Sequence, residues 1–184
     1  PGHGSLQSGG GSDPGAVSPS GYYERDINIR IASAAGKVLS DNGATVIYTR
    51  MGSKTSITLK GRAQVANNLG ADAFVSIHCN SSTSSTPSGT STYYYTKGKD
   101  AWLQQECKRL ATLVQEELVA ALGRKNLGII DQNLAVTRET IVPSILVETA
   151  FLSNAAEEQL LSNYDFQEKA GKAVAEGVMR FLED

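Results

Sequence analysis

The chain contains only two histidines: His78 ends a predicted strand, and His3 lies in the opening loop, where a first strand, if present, would end. Glu148 ends the apolar run over residues 144–147, which has the composition of a buried strand. Glu24 lies in the first turn of a predicted helix. Two histidines and one carboxylate are a common ligand set for hydrolytic zinc, which keeps a fourth position for water. The residue types therefore suggest a zinc site with a second carboxylate beside it.

Each of these residues also has an ordinary structural explanation. A glutamate in the first helical turn interacts favourably with the helix N-terminus, by about 0.3–1 kcal/mol. A single histidine at a strand end is often only a hydrogen-bonded structural residue, and Glu148 can pair with an arginine or a helix N-terminus. The metal interpretation depends on His3, Glu24 and His78 meeting at one edge of a sheet, where open α/β sheets bind their ligands.

Helices and strands alternate along the chain, with little of the turn chemistry that is typical of hairpins. Amphipathic spacing predicts helices over residues 24–41, 57–69, 100–122, 155–161 and 165–182. Apolar or β-branched runs predict strands over residues 44–49, 73–78, 90–96, 134–137 and 144–148. This alternation predicts an α/β protein in three α/β/α layers, with helices on both sides of a mostly parallel sheet.

Composition limits the function classes. The 184 residues include 17 Lys and Arg against 19 Asp and Glu, so a net charge of −2 gives no support for nucleic acid or an anionic membrane as partner. At 40% hydrophobic residues, one domain with a full core is expected. No apolar stretch approaches the roughly 18 residues of a membrane helix, which predicts no membrane insertion. Cys79 and Cys107 are expected to be buried small apolar groups.

Several short motifs follow one another along nearly the whole chain. They are Pro1-Gly2-His3-Gly4, Asp13-Pro14-Gly15-Ala16, Glu24 with Asn28, Thr49-Arg50, residues 59–62 with Ala66-Asn67, Ser76-Ile77-His78-Cys79-Asn80, and residues 143–148 followed by Phe151-Leu152-Ser153-Asn154. In this order they resemble the zinc-dependent N-acetylmuramoyl-L-alanine amidases of the type-three amidase family, which cleave bacterial peptidoglycan.

The resemblance implies that His3, Glu24 and His78 bind Zn²⁺ and that Glu148 is the catalytic acid and base. It implies a secreted or wall-associated autolysin whose partner is peptidoglycan and which cleaves the amide between the lactyl group of N-acetylmuramic acid and L-alanine. Residues 1–184 would then be one catalytic domain with a mixed sheet of about six strands. Family members normally have a hydrophobic strand ending in Asp before Pro-Gly-His-Gly, whereas this sequence begins at Pro1.

Three further residues are candidates for substrate binding. Arg62 lies on a helix whose family counterpart approaches the site, and Asn80 follows His78 by two residues. Arg138 follows a predicted strand and is suited to hold a peptide carboxylate. A surface ion pair explains either arginine equally well, and a loop cap explains Asn80.

Residues 81–91 form a short loop rich in Ser and Thr, at the place where activator-regulated members of that family carry a long helical insert. We therefore expect an active monomer that needs no activator. Two other functions stay open: a zinc peptidase or deacetylase of different specificity, and a non-catalytic wall-binding module with the same fold. Glu148 argues against the last, because a module without activity would be expected to lose that residue first.

Overall fold

The computed structural model describes residues 1–8 and 10–183. The elements in chain order are α1 (Glu24–Asp41), α2 (Leu59–Leu69), β1 (Phe74–Asn80), β2 (Thr90–Tyr94), α3 (Ala101–Leu122), β3 (Asn126–Asp131), α4 (Ala135–Arg138), β4 (Ser144–Phe151), α5 (Ala155–Leu161) and α6 (Tyr164–Glu183). Within the described part of the chain, no helix has the length and apolar character to cross a membrane.

The sheet is mixed, and its strand order is β1-β4-β2-β3. Strand β4 pairs in parallel with β1 and antiparallel with β2, while β2 pairs in parallel with β3. The predicted α/β class and the mixed, mostly parallel sheet between helices are confirmed. The predicted number of about six strands is wrong, because the described residues form a sheet of only four.

The strand predicted over residues 44–49 is absent. This segment lines a cavity of about 590 Å³, and residues 73–77 at the start of β1 line the same cavity. Because the cavity lies between the two segments, residues 44–49 have no neighbouring strand with which to form a hydrogen-bonded ladder. A β-branched composition alone does not make a strand where no partner is in reach.

The strand predicted over residues 134–137 is also wrong, because this stretch begins the short helix α4. The strand is instead β3, which lies in the preceding segment, where no strand was predicted. Gly128 within β3 has a positive φ of 83°, and the pairing of β2 with β3 shifts register between Thr90 and Thr92. A bulge of this kind interrupts the alternation by which strands are recognised in a sequence.

Helices cover both faces of the sheet. On one face α1, α3 and α6 pack together over the large apolar core, which includes Ile31, Leu110 and Val174. On the other face α2 and α4 cover a smaller cluster formed by Ala66, Phe74, Val136 and Leu146. Both cysteines are buried and free, as predicted.

The two faces of β1 differ in chemistry. Ile77 and Cys79 point into the large core, whereas Phe74 belongs to the smaller cluster on the opposite face. Since side chains alternate along a strand, Ser76 and His78 share the face of Phe74. This face is therefore apolar where β1 begins and polar where it ends, and the polar end forms the candidate active site.

Candidate active site

One half of the site is built from the ends of two neighbouring parallel strands. His78 of β1 is aligned with Glu148 of β4 in the sheet register. Aligned residues in a parallel pair point to the same face, so both side chains leave the sheet on the side of α2. The apolar runs that precede them are buried, and His78 and Glu148 themselves are half-buried. Strand β4 does not end at residue 148 as predicted but continues, buried, through residues 149–151.

The other half is a loop, residues 1–8 and 10–23, that leads into α1. His3 lies near its start, and Glu24 is the first residue of α1. The loop is tied to β1 by the amide of Gly2, which donates to the carbonyl of Ile77 at 2.9 Å. It is closed on itself by the amide of Gly4, which donates to the carbonyl of Asp13 at 2.9 Å.

The two halves meet at the carboxylate of Glu24. Its Oε2 lies 3.1 Å from Nε2 of His3, and its Oε1 lies 3.0 Å from Nδ1 of His78. One ligand atom from each of the three residues lies within 4.8 Å of the others. Atoms that bind zinc tetrahedrally at about 2.0–2.1 Å are about 3.4 Å apart, so this donor set fits the ion after small side-chain adjustments.

Two glycines allow this close approach. A Cβ at Gly2 would lie 2.1 Å from Cε1 and Nε2 of His78, so any larger residue would displace the imidazole. A Cβ at Gly15 would lie 2.5 Å from Oε2 of Glu24 and 2.7 Å from Cδ2 of His3, and Gly15 also has a positive φ of 68°. Both glycines are thus required by the packing of the cluster itself.

Each histidine has a partner for the nitrogen that faces away from the cluster. Nδ1 of His3 lies 2.7 Å from Oδ2 of Asp13, and Nε2 of His78 lies 3.1 Å from Oγ of Ser76. A proton held at those positions leaves Nε2 of His3 and Nδ1 of His78 free to bind a cation. The two histidines would therefore use different ring nitrogens.

The two glutamates of the site have opposite electrostatic environments. Burial alone would raise the pKa of Glu24, but its hydrogen bonds with His3 and His78 and their charges hold it well below the usual range. Burial, and then the charge of Glu24, raises the pKa of Glu148 well above its usual value. Among the described residues, the buried Oε2 of Glu148 has no hydrogen-bond partner. One carboxyl group is paired and has a lowered pKa, and the other is unpaired and has a raised pKa.

Both carboxylate oxygens of Glu24 accept several hydrogen bonds in this arrangement. In addition to the histidines, its Oε2 accepts the backbone amide of Ala16 at 2.8 Å, and its Oε1 accepts that of Cys79 at 3.1 Å. The Nδ2 group of Asn28 donates to Oε1 at 3.2 Å. A carboxylate with this many donors costs little to keep charged in a buried place.

The three candidates for substrate binding lie in different surroundings. Asn80 is half-buried at the end of β1, and its Oδ1 accepts the amide of Ser81 at 2.8 Å, which is a loop cap. Arg138 is exposed at the end of α4 and pairs with Glu139 at 2.8 Å. Arg62 is buried, and its guanidinium donates to backbone carbonyls of the His3 loop.

Sequence reasoning assigned no role to Asp13, Ser76 or Arg50, although all three lie in the motifs. Asp13 stands in an Asp-Pro-Gly turn, and Ser76 precedes His78 by two residues on the same face of β1. The spacing of two is a signal that was available for Ser76. The contacts of Asp13 and Arg50 join residues that are distant in the sequence, which no local pattern shows.

An α/β sheet with a His-Glu-His cluster and a separate, unpaired carboxyl group near the carboxyl ends of its strands is an arrangement suited to a metal-dependent hydrolase. The chain belongs to the family described as N-acetylmuramoyl-L-alanine amidase, whose profile matches residues 1–180.

Similar proteins are found among curated sequences and solved structures. The chain is 34% identical over 181 residues to the N-acetylmuramoyl-L-alanine amidase LytC of Bacillus subtilis, an alignment with 98% of this chain and 34% of LytC. It therefore spans only about a third of that relative. The crystal structure of an N-acetylmuramoyl-L-alanine amidase from Clostridium difficile 630 matches with a TM-score of 0.89 and 35% identity, over 100% of this chain and 94% of that one.

A second solved structure is the CwlD amidase from Clostridioides difficile in complex with the GerS lipoprotein. It matches with a TM-score of 0.84 and 31% identity, over 97% of each chain. The fold is thus shared along essentially its whole length with amidases of known structure.

Proposed function

We propose that this chain is the catalytic domain of a zinc-dependent N-acetylmuramoyl-L-alanine amidase, formed by residues 1–184 and acting on peptidoglycan outside the cytoplasm. The bond cleaved would be the amide between the lactyl group of N-acetylmuramic acid and L-alanine. The observation that carries the proposal is the contrast between Glu24, which is paired with two histidines, and Glu148, which is unpaired and has a raised pKa. Two carboxyl groups whose pKa values are pushed apart in one site indicate separate roles.

His3, Glu24 and His78 are the residues that would hold the ion. Zinc bound there would polarise a carbonyl oxygen and bring the pKa of a water molecule down toward about 7. Glu24 supplies the negative charge that offsets part of the charge of the cation. Asp13 and Ser76 hold the two imidazoles in the orientations that leave one nitrogen of each available.

Glu148 is the residue proposed to move the proton. Its carboxyl group lies on the face and at the strand end that His78 occupies, without a structural partner of its own. A raised pKa suits a group that accepts a proton from water and then donates it to the departing amine nitrogen. An amide nitrogen leaves poorly until it is protonated, so one carboxyl group can serve both steps.

Asn80 and Arg138 remain proposals for substrate binding. Asn80 follows His78 by two residues on β1, and the alternation of side chains along a strand supports a role beside the cluster. Arg138 is exposed and so can reach a carboxylate of a stem peptide, although it would have to leave Glu139 or share its charge.

Metal analysis of the purified chain, together with mass analysis of digested muropeptides, tests the proposed function. We expect one zinc per chain and products with free L-alanine amino termini and intact glycan. A peptidase would cut within the stem peptide and a deacetylase would remove only acetyl groups, so either gives different masses. A non-catalytic wall-binding module would bind peptidoglycan and release no product.

Glu148→Gln separates binding from hydrolysis. The variant keeps the size of the side chain but cannot exchange protons, so we expect zinc content to stay the same and turnover to fall by roughly 10²–10⁴-fold. Glu176→Gln, at an exposed position of α6, is the matched control and should change neither quantity. Turnover near the wild-type level in Glu148→Gln would contradict the assigned role.

We also propose that the chain is active as a monomer without an activator. Residues 81–89, between β1 and β2, form neither helix nor strand, so no helix from this segment covers the strand ends. The similar CwlD amidase was solved with a partner lipoprotein, which makes a direct test necessary. The purified chain alone should digest peptidoglycan, and a large increase in rate on adding a partner protein would count against the proposal.

A further inference from the structure

The loop that carries His3 is held by two buried arginines. The carbonyls of Pro1 and His3 accept hydrogen bonds from the guanidinium of Arg62, and the carbonyl of Gly2 accepts one from Arg50. The exposed fraction is only 2% for Arg62 and 5% for Arg50. Three successive carbonyls of the loop therefore depend on two charged side chains that water cannot replace.

His3 needs this support because its backbone is strained. Its φ is 60°, and it is the only described residue other than glycine with a positive φ. For an L-residue this conformation costs about 1–2 kcal/mol, and it persists only where the surroundings fix it. The hydrogen bonds on both sides of His3 supply that constraint.

Arg50 also connects the loop to the helix that carries Glu24. Its Nη2 donates both to the carbonyl of Gly2 and to the carbonyl of Arg25, the latter at 2.7 Å. Arg25 follows Glu24 directly in α1. One guanidinium thus joins the backbones next to His3 and next to Glu24, and it helps to fix the distance between these two side chains.

We propose that Arg50 and Arg62 are positioning residues that hold His3 and Glu24 at the separation required for zinc, an inference that rests on the proposed function. Arg62 then acts on the loop and not on the substrate. The guanidinium of Arg62 uses two nitrogens to reach the carbonyls of Pro1 and His3. That of Arg50 uses Nη2 for two carbonyls and Nη1 for a third, that of Gly52, whereas an ammonium group is a single point. Lysine at either position should therefore keep the charge and lose the geometry.

The test is the zinc dissociation constant of Arg50→Lys and Arg62→Lys, measured by competition with a chromogenic chelator. We expect each constant to rise by about 10–100-fold, as for other groups that orient metal ligands. Activity at saturating zinc should approach the wild-type kcat with an unchanged KM. Arg180→Lys, an exposed residue of α6 paired with Glu116 and Glu117, is the matched control.

A second pair of variants leaves both arginines in place. Gly4 has a φ of 81°, and a Cβ there would lie 3.0 Å from Nε and 3.1 Å from Cδ of Arg50. Gly98 has a φ of 83° and no atom within 4 Å of that position. Alanine strains the backbone at both sites but disturbs Arg50 only at the first. We expect a weaker zinc affinity in Gly4→Ala than in Gly98→Ala, beyond any difference in their metal-free melting temperatures.

The outcomes are distinguishable. Wild-type zinc affinity in both lysine variants and in Gly4→Ala overturns the inference and leaves the proposed function intact. A raised KM with unchanged zinc affinity in Arg62→Lys overturns it in favour of a substrate contact. If the lysine variants do not fold, the comparison of Gly4→Ala with Gly98→Ala tests the inference. Equal zinc affinities in these two variants would overturn it. A wild-type chain that binds no zinc overturns the proposed function first.

Discussion

The two halves of the site are held in place in different ways. The strand half, β1 and β4 with His78 and Glu148, is fixed by a continuous parallel ladder. The loop half, residues 1–8 and 10–23, has only isolated bridges, such as those between Ser5 and Thr55 and between Leu6 and Ser12. Its geometry comes from charged side chains and from a few backbone hydrogen bonds.

This difference has consequences for stability. The core-facing residues beneath the strand half, such as Ile77 and Val147, are buried in the large apolar core and gain from burial, whether or not a metal is present. The loop half buries little apolar surface and includes strained His3. We therefore expect metal binding to stabilise mainly the loop half, while the strand half stays in place.

Metal removal should give the largest effect. A ligand present at a concentration 1,000 times its dissociation constant stabilises the state that binds it by about 4 kcal/mol. This shifts an opening equilibrium about a thousandfold toward the closed state. Removing zinc should therefore raise hydrogen exchange at the amides of Gly4 and Asp13 by up to that factor. The amides of Ile77 and Val147 should change little. Mass spectrometry or NMR with and without a chelator measures both groups in one sample.

His3→Ala in the presence of zinc is the companion to that experiment. If His3 is one of the three ligands, as proposed, its removal should reproduce the exchange pattern of the metal-free wild type, because the loop then has no metal to hold it. Val17→Ala, at an exposed position of the same loop, serves as the control. An equal increase in hydrogen exchange in the strand half and the loop half would show that the two halves do not differ in their dependence on the metal.

The orienting partners of the histidines should give an intermediate effect. The contact of Asp13 with Nδ1 of His3 is short, at 2.7 Å, and carries a charge. The contact of Ser76 with Nε2 of His78 is longer, at 3.1 Å, and neutral. We expect Asp13→Asn to weaken zinc binding by about 10–100-fold and Ser76→Ala to weaken it less. Chelator competition measures both, and the reverse order would show that the strand half depends more on its partner.

The sequence predicts the strand half much better than the loop half. The apolar runs of β1 and β4 are local patterns, so both strands could be found, with His78 and Glu148 toward their carboxyl ends. Strand β4 nevertheless extends three residues beyond Glu148, to Phe151. The failed strand over residues 44–49 has a suitable composition but no neighbour to pair with. Strand β3 was missed because Gly128 interrupts its alternation.

The loop half could be recognised only by resemblance to a family. Its structure depends on contacts such as those of Arg50 with Gly2 and of Arg62 with His3, which join residues about 50 to 60 positions apart. Neither spacing nor propensity encodes such contacts. The predicted ligands His3 and Glu24 do come together in the structure, but nothing local in the sequence required them to do so.

The two glutamates give the smallest predicted effect, which is a difference in the pH dependence of the metal-free fold. Glu148 has a raised pKa in the folded chain, so the unfolded chain loses this proton first as pH rises above about 4.3. Its ionisation then opposes folding by up to about 1.4 kcal/mol per pH unit, until the pKa of the folded state is reached. Glu148→Gln removes this cost. The variant should therefore be more stable than the wild type at pH 7.

Substitution of Glu24 should change the free energy of unfolding in the opposite direction, so Glu24→Gln serves as the control. The pKa of Glu24 is lowered in the folded chain by the two histidines, so its contribution to stability is present above the pKa of the unfolded state and is lost as the pH falls. Urea denaturation of metal-free protein at pH 7 should therefore rank Glu148→Gln above the wild type and the wild type above Glu24→Gln. Both differences should shrink as the pH falls. The gain in Glu148→Gln shrinks because the wild-type glutamate is then protonated in both states, and the loss in Glu24→Gln shrinks because the wild type loses its paired charge. If Glu148→Gln is instead less stable than the wild type at pH 7, the carboxyl group has a structural partner, and the strand half is no longer the half that carries a free acid.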